Sequence, residues 1–142
     1  MSLCTFLAAA CDLPEKMRPD GCIPELGPAQ AADEDYGLYA FPDFDGHTAL
    51  PHAVCLEWDG FTPGRAEHLI AYLRAALERC ERVELWHVWL TGYCEYDERP
   101  FRKTKRVSLR DLTPHDLEAI CEFDVWAQDQ TRPTDVCLII TR

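Results

Sequence analysis

A chain of 142 residues, 47% apolar and 27% charged, can bury one sizeable core but is short for two, and no run approaches the ~18 apolar residues of a membrane-spanning helix. Twenty-five acids against 14 bases give a formal charge of −11, a balance that repels phosphate backbones and anionic membranes and favours a basic protein partner over nucleic acid. The excess is lopsided, since residues 1–59 carry eleven acids against Lys16 and Arg18, whereas residues 60–142 carry 14 acids against 12 bases.

Residues 3–10 (L-C-T-F-L-A-A-A) read as a first strand. The stretch from Asp12 to Asp35 reads as loop, with Pro14, Pro19, Pro24 and Pro28, Gly21 and Gly27, and the closing acids Asp33, Glu34 and Asp35. A loop this long in a compact domain is usually functional. Residues 36–41 (Y-G-L-Y-A-F) return to strand chemistry, and a second acidic turn holding Asp43 and Asp45 runs to Pro51. Residues 53–58 alternate, with Val54, Leu56 and Trp58 on one face and Ala53, Cys55 and Glu57 on the other.

The strongest helix signal follows. Thr62 is a natural N-cap with Pro63 at the first helical position, and Ala66, Leu69, Ile70, Leu73, Ala76, Leu77 and Cys80 recur at helical spacing. Residues 83–90 (V-E-L-W-H-V-W-L) come next as a buried strand with apolar side chains on both faces. After a polar stretch, residues 104–109 read as another strand. Leu112, Thr113, Pro114, Asp116 and Leu117 then supply a staple, cap and capping box for a second helix that ends between Glu122 and Gln128. Residues 136–141 form a last strand.

Thr62-Pro63 and Thr113-Pro114 stand 51 residues apart, and each follows a strand and precedes a helix and another strand. Within a single domain, residues 1–52 thus form an acidic, Pro-rich N-terminal part, and residues 53–142 two strand–helix–strand halves. The pattern predicts an α+β fold with a ferredoxin-like β-α-β-β-α-β core over residues 53–141, extended by N-terminal strands. Both helices should lie on one face of a mostly antiparallel sheet. In that arrangement the 83–90 strand is an edge, and its two-sided apolar character requires a cover, either the N-terminal strands or a second chain.

The eight cysteines are never closer than seven residues, so there is no C-x-x-C knuckle of zinc or redox type. Most occupy apolar positions, where a free thiol acts as a small hydrophobe, and they predict a reduced, cytoplasmic protein. Residues 7–11 (L-A-A-A-C) resemble a lipoprotein cleavage site, but no Lys or Arg precedes Cys11 and the apolar run is short. No dinucleotide fingerprint, P-loop or H-E-x-x-H is present. With Ser2 and Ser108 as its only serines, the chain offers little for serine nucleophile chemistry. His47, His52 and Cys55, spaced H-x4-H-x2-C, are the best metal candidates, and no cofactor is expected. His87 could lie at the base of an aromatic pocket with Trp86, Trp89, Tyr93 and Cys55. The plainer reading makes it a core histidine whose nitrogens are satisfied within the fold. The basic group Arg99, Arg102, Lys103, Lys105, Arg106 and Arg110 is expected to pair with the chain's own acidic N-terminal segment.

These observations favour a non-catalytic interaction domain that offers Asp33, Glu34, Asp35, Asp43 and Asp45 to a basic protein. In size and charge style it resembles small bacterial immunity proteins that neutralise basic toxins. The alternative is a small-ligand or metal-binding domain, weakly enzymatic or not, built around His87. A homodimer formed through an exposed sheet is a third arrangement compatible with the pattern.

Overall fold

The computed structural model describes residues 2–19, 33–42, 46–90, 99–129 and 131–142. Among these, the chain forms β1 (Ser2–Ala9), β2 (Tyr36–Ala40), β3 (His52–Trp58), α1 (Pro63–Leu77), β4 (Arg82–Leu90), β5 (Phe101–Ser108), α2 (Pro114–Cys121) and β6 (Thr134–Thr141). The expected strands and helices are all present, and the strand ends move by one to three residues.

Local chemistry accounts for both helix starts. Gly60 adopts φ 120°, a left-handed conformation that turns the chain out of β3 at little steric cost. Thr62 is extended, and its hydroxyl accepts from the Arg65 amide at 3.1 Å. At α2 the capping box is complete: Thr113 accepts from the Asp116 amide at 3.3 Å, and the Asp116 carboxylate accepts from the Thr113 amide at 2.9 Å.

One mixed six-stranded sheet runs in the order β2-β3-β1-β4-β6-β5. All neighbours are antiparallel except β5 and β6, which are parallel. This order departs from the ferredoxin-like expectation. A ferredoxin-like interleaving would place β5 between β3 and β4, whereas the inserted strand here is β1. The reason lies in the side chains. β5 reads F-R-K-T-K-R-V-S, and a central position would bury its four cations, whose desolvation costs far more than hydrogen bonding returns. β1 carries Cys4, Phe6 and Ala8 on one face and Leu7 and Ala9 on the other, all buried, so it fits the middle.

The same order explains β4. It lies between β1 and β6 rather than at an edge. On one face Val83 and Leu85 join Leu69, Leu73 and Leu77 of α1, Leu117 and Ile120 of α2, and Leu138 and Ile140 of β6 in the main core. Each fully buried leucine there contributes ~1.5–3 kcal/mol of transfer free energy. On the other face Trp86 and Val88 join Phe6, Cys137 and Ile139, and Phe41 and Leu50 cover them. The segment after β2 therefore provides the second cover, with Phe41 and Phe6 ring centroids 5.0 Å apart. Both helices do lie on one face, as expected.

Candidate functional site

Strand alternation decides the fate of the His87 constellation. His87 and Trp89 point to the helix side of β4, while Trp86 points to the opposite side, as does Cys55 on β3. Tyr93 lies outside the described residues. His87 is 1% exposed, and both ring nitrogens are occupied: Nδ1 lies 2.7 Å from the Thr5 hydroxyl and Nε2 3.1 Å from the Phe123 carbonyl. A carbonyl can only accept, so Nε2 carries the proton and Nδ1 accepts from Thr5 in the neutral ring. Burial holds the His87 pKa below its ordinary value, so the neutral form is favoured. This is the core-histidine arrangement, and the four described residues of the proposed pocket, His87, Trp86, Trp89 and Cys55, do not converge.

The metal candidates also separate. His47 Nε2 stands 3.7 Å from the Asp135 carboxylate, His52 Nδ1 3.1 Å from Asp12, and Cys55 Sγ 3.6 Å from Cys4 Sγ. Among the described residues no three His, Cys, Asp or Glu side chains group together as a metal site.

On the face away from the helices, Glu84 accepts from the Thr48 hydroxyl at 2.6 Å and from the Trp86 indole at 2.9 Å. The Arg102 guanidinium lies over the Trp86 ring at 5.0 Å. His47 Nδ1 and Asp135 Oδ1 are buried without a hydrogen-bond partner among the described residues, and burial raises the Asp135 pKa.

The acids at 33–35 gather at the start of α1. Thr62 donates its hydroxyl to Asp33 Oδ1 at 3.0 Å. The Asp33 carboxylate lies against Gly64, close enough that a Cβ there would collide with it. α1 has no acid in its own first turn, so a residue 29 positions before its cap supplies the negative charge its N-terminus favours. Glu34 pairs with His68 at 3.2 Å, and Asp35 with Arg18 at 2.6 Å. The Arg18 hydrogen bond holds the Asp35 carboxyl below the ordinary range. Arg18 also reaches Asp59, whose side chain is 74% exposed. Asp43 and Asp45 lie outside the described residues.

Around this end of the molecule, Glu15, Asp33, Glu34, Asp35, Glu57, Asp59 and Glu67 outnumber Lys16, Arg18 and the buried Arg65. The basic group lies elsewhere. Arg102, Lys103, Lys105 and Arg106 are exposed on β5, five strand spacings from β2, or ~24 Å at ~4.8 Å per spacing. The expected pairing of the basic group with the acidic N-terminal segment is therefore not made by Asp33, Glu34 or Asp35. Lys105 instead pairs with Asp116 at 3.3 Å.

An open groove of about 500 Å³ crosses the ends of β1, β3 and β4, lined in part by Leu3, Cys4, Cys55, Glu57, Trp58 and Leu90. Sequence reasoning missed Cys4, whose neighbour is 51 residues away and depends on strand register. It also missed Asp59, which carried no motif. The chain matches no protein-family model, no curated protein and no solved structure.

Proposed function

We propose that this protein is a non-catalytic interaction domain whose acidic edge, around β2, β3 and the start of α1, binds a basic protein partner. The uneven distribution of charge carries this reading: acids outnumber bases around β2, β3 and the start of α1, and four exposed cations line β5 at the far edge of the sheet. A layout of this kind orients an incoming basic surface before contact and rejects acidic ones. Glu34, Asp59 and the exposed Glu67 are the partner-facing acids; Asp35, held by Arg18, and Asp43 and Asp45 stay in the candidate set for their charge alone. Asp33 belongs to the α1 cap and is left out of the set. A bacterial immunity protein that neutralises a basic toxin is the type of module this layout fits, and a reducing cytoplasm suits its free thiols.

The test uses the full chain as bait in an extract of its native source, beside a variant carrying Glu34→Gln, Asp59→Asn and Glu67→Gln. The expected partner is basic, elutes with rising salt, and is captured several-fold less well by the variant. Capture of an acidic or neutral partner, insensitive to salt and to the three substitutions, would overturn the reading.

A further inference from the structure

We propose that Cys55 and Cys4 form a thiol–disulfide exchange site, in which Cys55 attacks a small neutral or cationic disulfide entering the groove and Cys4 resolves the product. This goes beyond the interaction reading and does not depend on it. β1 and β3 are antiparallel with Phe6 opposite Cys55, which puts Cys4 and Cys55 diagonally across one face with sulfurs 3.6 Å apart. Both line the groove. Cys55 is half-buried and reachable, whereas Cys4 is buried behind it.

The roles follow from the contact between them. The hydrogen bond between the sulfurs lowers the Cys55 pKa and raises that of Cys4, so Cys55 is the readier thiolate. Cys11 and Cys80 also stand side by side, but neither lines the groove, and burial together with the Cys11 contact pushes the Cys80 thiol up. Burial pushes the Cys121 and Cys137 thiols up to about 12. Cys11 and Cys80 both direct their S–H groups to the Ala76 carbonyl, at 3.7 and 3.3 Å. The groove wall carries the exposed Glu57 carboxylate and Arg18, whose charge is offset by its pairs with Asp35 and Asp59; the acidic balance disfavours anionic disulfides and sets the substrate class.

In the first step the Cys55 thiolate attacks one sulfur of R–S–S–R. The S–S bond breaks, and the departing thiolate takes up the proton that Cys55 released. In the second, Cys4 loses its proton and attacks Cys55 Sγ, expelling the remaining R–S⁻, which is protonated to R–SH. The protein dithiol is oxidised to a disulfide, and one small disulfide is reduced to two thiols. Diagonal cross-strand Cα atoms lie ~7–8 Å apart, against an upper limit of ~6.8 Å for a bridged pair. The two strands already lie at the ~4.8 Å sheet spacing, so closure must shear the end of β1 along β3 at the groove floor.

The reduced full chain is treated with cystamine, or with oxidised glutathione as the anionic comparison, and its peptides are mapped by mass spectrometry. Cystamine is expected to link the Cys4 and Cys55 peptides with loss of two hydrogens, several-fold faster than oxidised glutathione. The Cys4→Ala variant should instead accumulate a mixed disulfide on Cys55. Mapping the unsubstituted protein needs no variant to fold. A bridge involving Cys22 or Cys94, or Cys55 reacting no faster than Cys121 and Cys137, would overturn the proposal.

Discussion

At the scale of single residues, His87 shows how a polar group among tryptophans can be structural. Removing it would leave Thr5 and the Phe123 carbonyl with unmet hydrogen bonds in a dry core, at a cost of ~1–3 kcal/mol for each buried group left unpaired. Its titration has a definite sign. The folded pKa is depressed by burial, so the unfolded chain binds the proton more readily. Stability is then fully present above the unfolded value of ~6.5 and falls as pH drops below it. Asp135, whose pKa is raised, acts in the opposite direction nearer the carboxylate range. Urea midpoints measured from pH 8 to pH 5 in the wild type and in His87→Gln separate the two (about three pH units, spanning the ~6.5 of free histidine). The substituted protein should be less stable at pH 8 and lose less between pH 7 and pH 5. Parallel curves would remove His87 as the titrating group.

At the scale of elements, the start of α1 gives a sharper prediction. Gly→Ala inside a helix ordinarily gains ~0.5–1 kcal/mol. At Gly64 the new Cβ would meet the Asp33 carboxylate, so the substitution should gain nothing or destabilise. In an Asp33→Ala background the obstacle is gone and the usual gain should return. Asp33→Ala by itself should cost ~1 kcal/mol through the lost cap and dipole contacts. Thermal unfolding of the four proteins completes the cycle, and a coupling near zero would show that Asp33 does not sit over the helix start. This contact was not legible in the sequence, because it joins residues 29 to 31 positions apart. The helix starts themselves were legible: Thr62-Pro63 and Thr113-Pro114 carry their signals within four residues. Strand order could have been read better. Four cations within F-R-K-T-K-R-V-S are difficult to reconcile with a central strand, whereas L-C-T-F-L-A-A suits one. The two-halves pattern concealed this, since it is satisfied by either order.

At the scale of the whole molecule, the sheet order turns a charge imbalance in the sequence into a spatial one. The acidic first half of the chain was evident from composition, but the ~24 Å between the acidic and basic edges follows from β2 and β5 lying at opposite ends. The candidate acids were legible as charge and not as geometry: Asp33 accepts from Thr62 at the start of α1, while Asp59 joins the surface through Arg18. The dithiol was illegible for a related reason, since register alone brings Cys4 and Cys55 together. The most direct measurement is the association rate constant of the captured partner over a salt series. It is compared for the wild type, the Glu34→Gln/Asp59→Asn/Glu67→Gln variant and a Lys103→Gln/Arg106→Gln variant. The wild-type rate should fall steeply with salt. The acidic-edge variant should associate about tenfold more slowly at low salt, and the β5 variant no more slowly than wild type. Slower association of the β5 variant, with the acidic-edge variant unchanged, would contradict the account.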